Sequence, residues 1–477
     1  MSTDAHQADP IALDDDRRTQ ILADVAALRD SFERGTTRPV EARLAQLDAL
    51  RRGLRAERPR LVKALAADLG KSRTESALTE LGVVAQEIAH TRRNLRSWLR
   101  PRRFGPGLLL APATGEIRRE PLGTTLIIAP WNYPVNLALA PLIGAIAGGN
   151  TALLKPSEVA PATSAALAHL VRTHLDPDWV RAVEGGVEET TLLLEQRFDL
   201  IFYTGNSAVG RIVARAAAEH LTPTVLELGG KSPVFVDSSV DLAVAARRIV
   251  WGKFANTGQT CVAPDYLLAE PATIERLLPH LRGAVHELYG SAPRRSTDYG
   301  RMINARHFDR VLALIDDDKA VLGGTAGADR ADRYLPPTIM TGVGWDDPVM
   351  GEEIFGPVLP ILAVAGPDEA IARIREREKP LTAYVFSDRP EVEERFADET
   401  SSGSLGLGFT LAHVGSQTMP FGGVGESGMG TYHGKASFEA FTHAKPVVRK
   451  PNRPDTLALV TPPYTGWKRG LLRRLFR

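Results

Sequence analysis

Cysteine is almost missing from this chain, which holds one, Cys261, among 477 residues. A lone thiol closes no intramolecular disulfide, so nothing points to an oxidising compartment, and no multi-cysteine metal site can form. An excess of charge of either sign is lacking as well: 58 basic residues balance 57 acidic ones. No global field then draws nucleic acid or acidic substrates, and electrostatic recognition has to be local. The longest apolar stretch, Val135 to Gly149, is interrupted by Asn136 and Pro141 and is shorter than the roughly 18 residues of a membrane span. It reads as a buried helix. Met1 to about Asp16 is polar and acidic, without the basic and apolar regions of a secretory signal, and reads as a loose leader. None of the eleven histidines pairs with acidic residues at ligand spacing, so no metal site is expected. His307, His413 and His433 are taken as structural, with His433 open to lining a site. These absences describe a cytoplasmic chain with no nucleic-acid partner.

What is present exceeds one hydrophobic core and predicts two large α/β domains or one elaborated fold. From Asp16 to about Arg100, apolar residues recur at helical spacing, as in Leu44, Leu47, Leu50 and Leu54, predicting amphipathic helices. Beyond Pro101 the pattern alternates. Strand candidates Thr124–Ile128, 151–154, 200–203 and 224–228 are separated by helix candidates 137–147, 162–175, 189–196 and 207–220, the signature of a doubly wound parallel sheet. A second alternating block runs from Lys231 to about Ser404, with strands expected at 234–236, Tyr266–Ala269, 358–364 and 383–386. The remainder, with its glycine-dense 421–430 segment and basic tail, reads as loop and strand more than helix.

A lone cysteine is commonly an inert buried hydrophobe. The context of Cys261 argues for more. It follows a helical pattern and a Gly-containing turn, Phe254-Ala-Asn-Thr-Gly-Gln-Thr-Cys261, and Glu227 lies 34 residues earlier at the carboxyl end of an expected strand, where open α/β sheets place their sites.

Glu227-Leu-Gly-Gly-Lys231, Gly258-Gln-Thr-Cys261, Pro130-Trp-Asn-Tyr-Pro134, Lys155-Pro-Ser-Glu158, Glu352-Glu-Ile-Phe-Gly-Pro357 and Pro420-Phe-Gly-Gly-Val-Gly425 together resemble the aldehyde dehydrogenase superfamily, in the family's order. Trp251-Gly-Lys-Phe254, Cys261-Val-Ala-Pro-Asp-Tyr266, Ala305-Arg-His-Phe308, Glu399-Thr-Ser-Ser402 and Tyr432-His-Gly-Lys435 resemble its class 3 branch of fatty and aromatic aldehyde enzymes. The resemblance implies a Rossmann-type cofactor domain, an α/β catalytic domain and a small bridging element for pairing subunits as a homodimer. The implied segmentation is 1–100 with 122–228 for the cofactor domain, 229–430 for the catalytic domain, 101–121 with 431–455 for the bridge, and 456–477 for a tail.

The implied activity is NAD(P)-dependent oxidation of a medium- or long-chain aliphatic or aromatic aldehyde to the acid through a thioester on Cys261. Asn132 and the Cys261 backbone N–H would stabilise the oxyanion, and Glu227 would activate water. Trp131, Lys155, Glu158, Gly205, Asn206, Glu353 and Phe355 would bind the cofactor, although no Gly-x-Gly-x-x-Gly follows a strand. Many relatives carry serine where Asn206 stands. Glu158 beside a ribose 2′-hydroxyl favours NAD, with NADP allowed. Two other readings stay open: a cysteine-dependent esterase or acyl-transfer enzyme without redox chemistry, and a non-catalytic descendant of the fold.

The chain departs from the class 3 pattern where Gly403-Ser-Leu-Gly-Leu-Gly-Phe-Thr410 replaces an Asn-Asp-containing segment near the aldehyde pocket, so substrate preference transfers less well than mechanism. The tail from Thr461 resembles the segment before the membrane anchor of fatty aldehyde dehydrogenases. As a helix it would set Trp467, Leu471, Leu472, Leu475 and Phe476 opposite Arg469, Arg473, Arg474 and Arg477, with Lys468 as the exception. Such a helix would lie on an anionic membrane or cap the substrate entrance, or else fray as a basic terminus around Gly470.

Overall fold

The stripes of the N-terminal segment become four long helices, Asp15–Glu33, Val40–Ala56, Arg58–Leu69 and Gly82–Trp98, in the computed structural model, which describes residues 13–475. Leu47, Leu50 and Leu54 are buried and Leu44 packs at the margin of the same core. The expected leader is shorter than the sequence suggested. Asp14 caps the first helix by accepting from the Arg17 N–H at 2.6 Å, and Asp15 and Asp16 occupy its first turn, where negative charge meets the helix dipole. Residues 1–12 of that leader lie outside the described part.

Beyond these helices stands a six-stranded sheet in the order Gly428–Met429, Thr224–Glu227, Leu200–Thr204, Thr124–Ile128, Thr151–Lys155, Val180–Ala182. Its last five strands pair in parallel. The central strands are buried at every residue, which explains their near-continuous apolar sequence. Pro134–Gly148 is the buried helix expected from its composition, begun by Pro134 at its first turn and closed by Gly149 in the left-handed conformation. The antiparallel edge strand Gly428–Met429 lies far along the chain, inside the 229–430 segment, yet pairs with Thr224–Glu227.

A second sheet has seven strands in the order Ala320–Leu322, Thr338–Met340, Val358–Ala363, Tyr266–Ala269, Pro233–Val236, Thr382–Phe386, Ser404–Leu407. Tyr266–Ala269 falls where expected, and three others lie within a residue of their predicted bounds. The three-residue and edge strands have no apolar alternation to announce them. A third, three-stranded antiparallel sheet joins Arg102–Phe104, Thr114–Pro121 and Thr442–Arg449.

The segment after Gly430 holds more helix than its glycines and prolines predicted. Gly434–Ala440 is helical because Ser437 and the following Phe441 pack against the helix Pro134–Gly148 at its Gly144, with Phe438 buried beside Trp98; tertiary packing outweighs local composition here. The tail forms the helix Gly466–Leu475 across Gly470, with Trp467 60% exposed. Phe476 and Arg477 fall outside the described residues. Among those residues no helix is long and apolar enough to cross a membrane.

Candidate active site

Asn132 sits between the end of strand Thr124–Ile128 and the start of helix Pro134–Gly148, and Glu227 is the last residue of Thr224–Glu227, two strands away in the same sheet. Both are buried. The Asn132 side-chain oxygen and both Glu227 carboxylate oxygens have no hydrogen-bond partner in the protein, an unusual state for buried polar atoms and one that marks a place kept for another molecule. Glu227 is held through its backbone: its carbonyl accepts from the Gly205 N–H at 3.0 Å, and the strand pairs with Gly428–Met429 on its other side.

Cys261 comes from the second half of the chain, after the helix Leu242–Phe254. The turn between them is strained, with Asn256 and Thr257 both left-handed at φ 51° and 57°, a conformation that non-glycine residues adopt at a cost and that clusters at functional sites. Gly258 continues the left-handed run at φ 73°, and a Cβ there would lie 2.2 Å from the Gly356 carbonyl. Side chains over-determine the turn. Asn256 Nδ2 donates to the Asn132 carbonyl at 2.9 Å and to the Gln259 carbonyl at 3.1 Å. Gln259 donates to the carbonyls of Asn256 and Arg301 and accepts from the Ile303 N–H.

A second tie, Tyr133 Oη to Thr260 Oγ1 at 2.7 Å, completes the link. Residues 132–133 and 256–260 are thus stitched together along the turn that leads to the thiol. Burial pushes the Cys261 thiol well up, and the charges of Glu353 and Glu227 push in the same direction, against the hydrogen bonds from the Cys261 and Val262 N–H groups. Burial alone raises the Glu227 carboxyl far above the usual carboxylate range. The two groups are near enough to feel each other, and Tyr432 responds to both.

Of the residues expected at the cofactor, Trp131, Lys155, Glu158, Gly205 and Asn206 end or follow three neighbouring strands of the first sheet, and Glu353 and Phe355 lie in the loop before Val358–Ala363 of the second. Lys155 ends its strand with Nζ buried, donating to the Pro156 carbonyl at 2.9 Å and to the exposed Glu158 at 3.3 Å. Gly205 lies at the turn into the helix Ser207–Glu219. Asn206 caps that helix, its Oδ1 accepting from the Val209 N–H at 2.9 Å. The oxygen of Asn206 is therefore committed to the cap, while the helix start still offers N–H groups to an anion. Trp131 packs edge-on to Phe355 at 5.3 Å and lies 4.8 Å from His307. Phe355 is itself left-handed at φ 47°. Burial, together with the nearby charge of Asp265, lifts the Glu353 carboxyl to about 8.

An amine and a carboxylate, a free helix start and an aromatic shelf along adjacent strand ends suit the diol, phosphates and ring of a nicotinamide dinucleotide. The Glu353 carboxylate lies over Gly229, two residues after Glu227, and its charge pushes the thiol further up. His307 was read as structural; it lies against Trp131, and burial lowers it to about 4. His433 is buried at φ 77°, stacked on Phe421 and beside Tyr432, next to the site as allowed. His413 bonds Ser404 and Thr382 through Nε2.

The divergent segment 403–410 ends against the helix Leu242–Phe254, which leads to Cys261. Thr410 donates to the Arg248 carbonyl and fills the space over Gly252.

Sequence reasoning missed the shell that holds these groups: Lys71, Glu75, Glu80, Tyr133 and Asn256. Tyr133 and Asn256 lie inside the quoted motifs, whereas Lys71, Glu75 and Glu80 fall in a polar stretch that gives no signal of its own.

Comparison with known proteins agrees with this geometry. The model of the aldehyde dehydrogenase family matches residues 6–447. The chain is 47% identical over 427 residues to the dimeric NADP-preferring aldehyde dehydrogenase of Mus musculus, covering 90% of this chain and 94% of that protein. It is 48% identical to aldehyde dehydrogenase family 3 member A2 of Macaca fascicularis, over 90% of this chain and 88% of that one. The solved structure described as the substrate-bound state of Staphylococcus aureus AldH superposes with a TM-score of 0.93 at 41% identity, covering 96% of this chain and 99% of that chain. A cysteine and an asparagine brought together from opposite halves of the chain beside a buried glutamate, within a family match spanning nearly all of it, make this chain a member of the aldehyde dehydrogenase family, with family 3 proteins among its relatives.

Proposed function

We propose that this protein oxidises an aldehyde to the carboxylic acid with NAD(P), using Cys261 as nucleophile, Glu227 as general base, and the Asn132 amide with the Cys261 N–H as oxyanion donors. The observation that carries the assignment is the double tie between residues 132–133 and 256–260 beside an unpartnered, buried Glu227.

The thiol is held protonated at rest, so its proton must leave before or during attack, and Glu227, once it has given up its own proton, is the group positioned to take it. Sulfur then bonds the carbonyl carbon, and the oxygen becomes an anion facing the two donors. One such donor is worth about 10²–10³ in rate. When bound, an oxidised nicotinamide supplies the acceptor for the hydride lost from the sulfur-bound carbon, which is left as a thioester. Once Glu227 has passed the first proton to solvent it takes one from water, the resulting hydroxide adds to the thioester, and the carbon–sulfur bond breaks as Glu227 returns that proton to sulfur, releasing acid and thiol. Lys155, Glu158, Gly205, Asn206, Glu353, Phe355 and Trp131 would hold the cofactor. A cysteine hydrolase without redox chemistry would have no use for this second set of groups. Glu158 beside the Lys155 amine favours a free 2′-hydroxyl, hence NAD, with NADP accepted less well.

The same reading assigns medium- or long-chain aliphatic and aromatic aldehydes as substrates, a homodimer built on the three-stranded sheet, and a cytoplasmic location with peripheral membrane contact through the tail helix. Support for that contact is the exposure of Trp467 beside Arg469, Arg473 and Arg474. Removing residues after Asp455 is expected to lower sedimentation with anionic vesicles and to shift the chain-length profile; no change in either would reject the assignment. For the activity itself, wild type and Cys261→Ala are mixed with NAD or NADP and a panel of aldehydes. Cofactor reduction by wild type alone is expected, and reduction by neither protein would overturn the reading.

A further inference from the structure

Between the helices Arg58–Leu69 and Gly82–Trp98 lies a π-helical turn, Ser76–Leu81. Such turns carry an extra residue and recur at functional sites. The turn leaves no room beyond it: a Cβ on Gly82 would stand 2.5 Å from the Ala77 carbonyl oxygen. Its fifth residue, Glu80, is buried and so is Lys71, with both side chains at 0% exposure and 2.7 Å apart.

What this pair touches is specific. Lys71 Nζ donates to the Asn132 carbonyl at 2.8 Å and lies 3.8 Å from the centre of the Tyr133 ring. Glu80 Oε2 accepts from the N–H groups of Val135 at 3.1 Å and Asn136 at 2.8 Å, at the start of the helix that follows Asn132. The Asn132 carbonyl also accepts from Asn256, so one oxygen joins the loop of the oxyanion amide to the loop of the nucleophile. Glu75, just before the π turn, takes the Asn256 N–H at 2.9 Å.

A buried ion pair is a poor device for stability alone, because desolvation offsets its attraction and apolar residues pack as well. This one holds the carbonyl of the proposed oxyanion residue and the start of the helix that follows it. Building on the catalytic reading above, we propose that Lys71 and Glu80 are positioning residues of the oxyanion site, which fix where the Asn132 amide stands relative to Cys261. Neither touches substrate. The pair acts by holding the backbone that follows Asn132 and by clamping the shared carbonyl.

The test uses the full chain and two reactions, aldehyde oxidation with NAD and hydrolysis of p-nitrophenyl acetate, which needs the thiol and the oxyanion donors without cofactor. Lys71→Met is expected to lower kcat in both by about 10- to 100-fold, a part of what a lost donor costs. KM and the NAD dissociation constant should stay within about twofold, and Lys71→Met with Asn132→Ala together should be no worse than Asn132→Ala alone, as for residues acting through one contact. Lys71→Arg should recover part of the loss. Should Lys71→Met fail to fold, Glu80→Gln keeps the shape, removes the charge, and carries the same kcat expectation. An active protein in which the variants keep wild-type kcat, or in which the losses multiply, overturns the positioning role. Wild type inactive in both reactions overturns the catalytic reading beneath it.

Discussion

Cys261 and Glu227 are both held towards their protonated forms, and the proposed reaction needs each without its proton. A group raised above its ordinary value becomes active only at higher pH, so kcat/KM is expected to climb from neutral into the alkaline range, as a pH–rate profile would record. Glu227→Gln removes the base while leaving the thiol. It should slow both the burst of reduced cofactor and steady-state turnover, the latter by about 10²–10⁴-fold; rapid-mixing absorbance resolves the two phases.

Glu87 makes a separate prediction about stability. Burial raises its carboxyl from 4.5 to about 7, opposed by the Gly434 N–H it accepts. Between those values the folded chain binds more proton than the unfolded one, so stability falls as pH rises from about 4.5 to 7 and stays low above. Glu87→Gln should abolish that loss, worth about 3 kcal/mol at most. Thermal melts at pH 4 should coincide, and at pH 8 the variant should melt higher.

Elements were legible in proportion to how much their own residues decided them. The buried parallel strands Thr124–Ile128, Thr151–Lys155 and Leu200–Thr204 have continuous apolar runs, and the helix Pro134–Gly148 carries its own start and stop in Pro134 and Gly149. Cys261, Asn132 and Glu227 could be read because their motifs surround them. Lys71, Glu75 and Glu80 could not, since their role exists only once the π turn has brought them against residues 132–136 and 256. Gly434–Ala440 was likewise hidden, because a distant helix supplies the surface that stabilises it.

Asp68 tests this dependence between elements. At the end of the helix Arg58–Leu69 it accepts from the N–H groups of Ala162 and Thr163 and from the Thr163 hydroxyl, capping the helix Pro161–His174 from outside. Asp68→Ala should cost about 1–3 kcal/mol, since it leaves buried donors unpaired, and should lower Tm without changing KM. An unchanged Tm would show the cap to be dispensable.

At the scale of the whole molecule, the three-stranded sheet is the part with least to cover it. Its edge strand Thr442–Arg449 is mostly exposed, with Val448 at 44%, and unpaired edges recruit other chains. If this edge joins two copies, Val448→Lys should shift the mass seen by light scattering from dimer towards monomer. A wild-type monomer, or a variant that stays dimeric, would argue against pairing through this edge.

The return of Gly428–Met429 to the first sheet has a consequence during synthesis. The strand carrying Glu227 has no neighbour on that side until about 200 further residues have been made, which at ~5–20 residues per second takes roughly 10–40 s. Through that interval the nascent chain presents an open β-edge beside its future base, and this is where a ribosome-associated chaperone would find it.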